Sequence, residues 1–179
     1  MQNNTNKLFP MMKKNRFEFL LAAILIAGLA IRLYGINWDQ GFSYSPHPDE
    51  RAILMKVEEI HFPELSNLST LLDKDESPWN PRWFPYGSFP IYLLDITHTI
   101  SQKFPATDQL DPRILGRWFS LLADLGTILA VALLSRKAFG KTTGLIAAIL
   151  VSFAVINIQL SHFFAFDTFI TFFSMWSLL

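Results

Sequence analysis

The stretch FEFLLAAILIAGLAIRLY, residues 17–34, decides how the rest of this chain is read. It is almost unbroken apolar sequence, close to the ~20 residues that a membrane-spanning helix needs. Glu18 and Arg32 fall near its ends, where long side chains snorkel to the interface. A secretory signal peptide also has a basic start and an apolar centre. This run is long, however, and no small-x-small cleavage site ends it, so a retained helix is expected.

Further along lie a second apolar run at 114–134 and a third at 144–160 (GLIAAILVSFAVINIQL), joined by the basic turn SRKAFGK. After a short turn at 161–166, residues 167–179 (DTFITFFSMWSLL) stay apolar to the last residue. They reach ~20 Å against a hydrocarbon core of ~30 Å, which fits the start of a fourth helix. The expectation is an all-α integral membrane bundle, with this chain as the N-terminal part of a longer transmembrane domain that begins at residue 17.

Charge supports the threading. Lys7, Lys13, Lys14 and Arg16 precede the first run, and residues 1–16 hold no acid. Residues 37–112 carry twelve acids against five Lys/Arg, and Arg136, Lys137 and Lys141 then cluster without acids. Basic segments stay on the cytoplasmic side. Residues 1–16 therefore read as a cytoplasmic tail and 37–112 as an outer loop of a multi-pass protein in a plasma or inner membrane. Only 17% of residues are charged, against about 25% in soluble domains. No basic patch is interleaved with aromatics, so nucleic acid is not an expected partner. The absence of cysteine excludes a disulfide framework and a thiolate metal site.

The outer loop carries two expected interfacial helices. Pro48 suits the first turn of a helix continuing through ERAILMKVEEI, with Ile53, Leu54, Val57 and Ile60 at helical spacing. Residues 88–104 (SFPIYLLDITHTISQKF) place apolar side chains at 89, 93, 96 and 100, an amphipathic pattern for the membrane surface. Between them, the aromatics of SPWNPRWFPYGS suit the interface. Asn67-Leu68-Ser69 is a glycosylation sequon.

Three clusters could carry chemistry. In SYSPHPDERAI, residues 43–53, Asp49 and Glu50 read either as first-turn acids favoured by the helix dipole or as a general base for an acceptor hydroxyl. Two carboxylates also offer oxygen ligands to a divalent cation, although one adjacent pair is weak grounds for a metal. His47 reads as a second acid–base group or as a loop residue. Arg113, Arg117 and Asp124 share one helix face. Ionisable groups at such depth face a protein interior or a cavity. They read as an ion pair with another helix or, for Arg113 and Arg117, as a site for a lipid phosphate. In SHFFAFDTF, residues 161–169, Asp167 reads as a helix cap or a cavity-mouth group, with His162 beside it. All three clusters fall on the outer side.

These residues also carry a resemblance. RLYGINWDQGFSYSPHPDERAI, then YGSFPIYLL, a span opening with LGRWFSLLADL, and IQLSHFFAFDTFITFF resemble the N-terminal part of polyprenyl-phosphate-dependent glycosyltransferases. The subgroup is related to protein O-mannosyltransferases and lipid A aminoarabinose transferases (glycosyltransferase family 39-type), with the GT-C membrane fold. The resemblance implies a lipid-linked sugar donor, an acceptor hydroxyl on protein, lipid or glycan, and inversion at the anomeric carbon. It implies that Asp49 is the catalytic base with Glu50 beside it. His47, Arg113, Arg117, His162 and Asp167 are the candidate residues for binding substrate or donor phosphate. No cofactor is required, and a divalent cation stays open. The chain alone is expected to be inactive, because the family's later helices are needed to complete the cavity. Two other readings remain: a transporter or flippase segment, which makes the mid-membrane charges essential and Asp49 dispensable, and a non-catalytic scaffold.

Overall fold

The computed structural model describes residues 15–63, 65–85, 87–105, 107 and 110–179. Lys7, Lys13 and Lys14 of the expected cytoplasmic tail lie outside the described residues. Among those described, the chain forms seven α-helices and no strand. They are α1 (Arg16–Leu33), α2 (Pro48–Glu59), α3 (Phe89–Ser101), α4 (Pro112–Phe139), α5 (Lys141–Ser152), α6 (Val155–Ser161) and α7 (Phe166–Ser177). A short 3-10 helix at Leu65–Thr70 carries Asn67 of the sequon.

Helix α4 is the axis on which the others pack. The Asp111 carboxylate accepts from the Arg113 N–H at 2.8 Å, and Pro112 follows where a missing N–H is harmless. The helix runs for 28 residues, and among the described residues it is the single helix long and apolar enough to cross a membrane. At Gly140 the backbone takes φ 92°, and α5 turns back along α4. The two lie so close that a Cβ on Gly144 would come 2.7 Å from the Ala132 carbonyl oxygen. Helix α1 packs here through Phe17 and Leu21, against Ile128, Ala132 and Ala148.

A second core forms where α2 and α3 lie against the N-terminal half of α4. It gathers Ile53, Val57 and Ile60 with Ile91, Leu94 and Ala123, and with Phe164, Phe166 and Phe169 at the start of α7. The helical spacing of Ile53, Val57 and Ile60 in the sequence is therefore a buried face, with Leu54 packed beside it.

Two expectations need correction. The third run, 144–160, is not one straight helix: it breaks between α5 and α6 with a bend of 59°. No proline causes this. The Ser152 carbonyl, where α5 ends, accepts instead from Arg32 Nη1 at 3.0 Å. Arg32 is itself the second correction. It does not snorkel outward but is fully buried, bonded to Asp124. Helix α3 buries Pro90, Ile91, Leu94 and Asp95 and leaves Phe89, Ile96 and Ile100 of the expected stripe exposed. The helix has two apolar stripes. The one holding Asp95 turns inward, where Trp79 Nε1–H donates to its carboxylate at 2.7 Å.

Candidate functional site

The site is built from the start of α2 upward. His47 precedes the helix, and its Nδ1 accepts from the Glu50 N–H at 3.4 Å, so the ring caps the turn that carries both acids. The same ring stacks on Phe163, centroids 4.2 Å apart, and Phe163 meets Trp38 edge-on. One residue of helix is a rotation of about 100°. That rotation separates the fates of the two carboxylates.

Glu50 turns inward and has no solvent exposure. Its Oε1 accepts from Arg117 Nε at 2.8 Å and from the Phe164 N–H at 2.9 Å. Its Oε2 accepts from Arg117 Nη2 at 2.7 Å and from the Ser45 hydroxyl. A carboxylate offers about four lone-pair positions, and here all four are occupied. Asp49, half-buried on the neighbouring face, has no hydrogen bond or ion pair to its carboxylate among the described residues.

Arg117 is the hub. Besides Glu50, Nη1 donates to Asp39 Oδ1 at 2.7 Å and to the Ile36 carbonyl at 2.9 Å, and Nη2 donates to Asp39 Oδ2 at 2.8 Å. All five N–H groups are used, and the guanidinium lies 6.0 Å from the Trp38 ring centroid. A donor phosphate would have to displace a carboxylate to reach it. Hydrogen bonds from Arg117, helped by the charges of Arg117 and Arg113, hold the Asp39 carboxyl below the usual carboxylate range against the opposing effect of burial. Neither Asp39 nor Ser45 was singled out in the sequence. The signal that could have found them is indirect: a buried arginine needs carboxylate partners.

The remaining candidates are placed as follows. Arg113 binds Asp39 at 3.2 Å and Asp111 at 3.0 Å, stays partly exposed, and keeps donors unused among the described residues. It forms one wall of a groove of about 340 Å³ between α2 and the start of α4, with Tyr44, Arg51, Leu54 and Glu58 opposite. His162 places Nδ1 2.7 Å from the Ile158 carbonyl and Nε2 2.9 Å from the Tyr34 carbonyl, tying α6 to the end of α1. Asp167 is exposed in the first turn of α7, and its carboxylate has no partner among the described residues. The structure thus brings His47, Glu50, Arg117 and the 162–164 turn together, with Asp49 at their edge. Among the described residues, no three or more His, Asp or Glu side chains are gathered as a metal ion would require.

A separate polar cluster sits deeper in the bundle. Arg32 pairs with Asp124, and the other Asp124 oxygen accepts from Asn157 Nδ2 at 3.1 Å. The charge of Asp124 is therefore met within the bundle.

No curated protein and no solved structure matches the chain. Residues 111–179, from the cap of α4 through α7, match the model of the dolichyl-phosphate-mannose-protein mannosyltransferase family. Over that stretch the chain is similar to membrane mannosyltransferases, and glycosyltransferase activity is supported at the level of that family.

Proposed function

We propose that this chain carries the base-bearing part of a membrane glycosyltransferase that moves a sugar from a polyprenyl-phosphate donor to an acceptor hydroxyl at the outer membrane face. The observation that carries the reading is the division of labour in the Asp49–Glu50 pair. Glu50 has every acceptor position engaged, while Asp49 sits beside it with no carboxylate partner among the described residues. A general base must be close to the proton it takes and unoccupied before it does so.

In the proposed step Asp49 takes the proton of the acceptor hydroxyl as that oxygen bonds to the anomeric carbon. The bond from that carbon to the phosphate oxygen breaks from the opposite face, so the configuration inverts. The electron pair leaves with the phosphate, which remains on its lipid. The donor is already activated, and no nucleotide need be bound. Arg113, with unused donors at the groove edge, is better placed for an anionic group than Arg117, whose donors are all engaged. The acceptor would be a hydroxyl-bearing protein, lipid or glycan. The transport reading is less well supported, because Arg117 and Asp124 are each neutralised within the chain.

The test follows release of free polyprenyl phosphate from polyprenyl-phosphate sugars by the full-length protein in membranes, with the later helices present. Asp49→Asn at matched protein level is expected to lower turnover by at least about a hundredfold with donor binding retained. Turnover at the wild-type rate would remove Asp49 from the role of base.

A further inference from the structure

The cluster of Arg32, Asp124 and Asn157 takes no part in the proposed transfer step. We propose that Arg32 is a positioning residue: it sets the break between α5 and α6, and through α6 it fixes the turn that locks Glu50. Its effect on turnover rests on the transferase reading, whereas its effect on the turn does not.

Arg32 comes from α1 and reaches two other helices at once. Its Nε pairs with Asp124 of α4, and its Nη1 donates to the Ser152 carbonyl at 3.0 Å and to the Gly28 carbonyl at 3.1 Å. The Ser152 carbonyl belongs to the last residue of α5, so a cation from a neighbouring helix caps that C-terminus, where the dipole favours positive charge. Asp124 passes the restraint on, because its second oxygen accepts from Asn157 in α6.

Helix α6 is only seven residues long, and its far end is His162, tied to the Tyr34 carbonyl at the exit of α1. Phe163 then stacks on His47, and the Phe164 N–H reaches Glu50 at 2.9 Å. The path from Arg32 to Glu50 is thus made of short helix and direct contacts throughout. Stability alone gives no reason for such a pair, since buried ion pairs are often replaced by apolar residues at no loss. An apolar pair cannot, however, cap the end of one helix while holding a side chain of another. The planar fork of arginine can.

The chain has no cysteine, so introduced cysteines give clean labelling sites. Spin labels at Arg51→Cys on α2 and Gln159→Cys on α6 report the spacing of the two elements in membranes. The informative variant is Arg32→Gln with Asp124→Asn, which leaves no unpaired buried charge. Its expected behaviour is a melting temperature near that of the wild type, a broadened or displaced label distance, and kcat lowered by on the order of tenfold with donor KM changed by less than about twofold. Asn157→Leu, which removes only the α6 tether, is expected to broaden the same distance and serves if the double variant fails to fold.

An unchanged distance in whichever of these variants folds overturns the proposal. Wild-type kcat alongside a displaced turn overturns its link to turnover. A displaced turn in a full-length protein whose wild type releases no polyprenyl phosphate supports the positioning role and counts against the transferase reading instead.

Discussion

Arg117 and Glu50 meet edge to edge, Nε to Oε1 at 2.8 Å and Nη2 to Oε2 at 2.7 Å, with both side chains closed to solvent. The contact joins α4 to the first turn of α2, across 67 residues of sequence. Removing Arg117 strands the Glu50 charge in a dry site, which costs roughly 3–5 kcal/mol. Arg117→Gln should therefore lower thermal stability steeply, and Glu50→Gln by less, because Arg117 keeps Asp39 as its counter-charge. Arg117→Lys should recover little, because an ammonium cannot bridge Glu50 and Asp39 in parallel. Asp49→Asn should stay within about 0.5 kcal/mol of wild type. Thermal unfolding in detergent measures all four, and an equal loss at Asp49 would mean that its carboxylate is held as well.

Acid should act on Asp39. Its folded value lies below the ordinary aspartate range, chiefly through hydrogen bonds from Arg117. A depressed acid contributes stability that is present above its unfolded value and lost as pH falls through the folded one. Stability should fall as pH drops below about 4, and Asp39→Asn should flatten that slope while lowering stability at neutral pH. Melting temperature against pH reads both effects.

Asp95 should behave in the opposite sense. Burial raises its value, opposed by the Trp79 hydrogen bond and by the charges of His98 and His61. Stability from this group therefore declines as pH rises from the unfolded value through the raised folded one. Asp95→Asn keeps an acceptor for Trp79 and removes the penalty on ionisation, so at neutral pH it should match or exceed the wild type in unfolding temperature. A clear loss would show that the charge itself is needed.

Two glycines should differ in how their substitutions can be repaired. A Cβ on Gly116 would lie 2.5 Å from Cγ of Phe164, a side chain that can shrink. A Cβ on Gly144 would meet the backbone oxygen of Ala132. Both alanine variants should lose about 1–3 kcal/mol. Phe164→Leu should restore part of the loss in Gly116→Ala, whereas no side-chain change can relieve Gly144→Ala. Unfolding temperatures of the single and paired variants test this.

Much of the scaffold was legible because local pattern and packing agree. The apolar run at 17–34 is α1 almost residue for residue, Pro48 opens α2, and the spacing of Arg117 and Asp124 does put both on the buried face of α4. The bend after Ser152 was not legible, since the carbonyl at the break is bonded by an arginine 120 residues away in the chain. The inward stripe of α3, where Asp95 accepts from Trp79, was hidden because the helix carries a second apolar stripe that reads as the amphipathic face. The contrast between Asp49 and Glu50 was hidden for a related reason. Adjacent acids look alike in sequence, and only the position of Arg117 on another helix tells which one is occupied.

In the proposed membrane transferase the bend would also alter how the surrounding lipid lies. Taken along the direction of α5, the bent pair advances only roughly 23 Å, short of the ~30 Å of a hydrocarbon core. A bilayer meets such a deficit by becoming thinner beside the short element. In the proposed membrane transferase, headgroups on that flank would ride deeper than elsewhere around the bundle, toward His162 and Phe163. A phosphate attached to a long isoprenoid would meet the protein there with less of its chain drawn out of the oil.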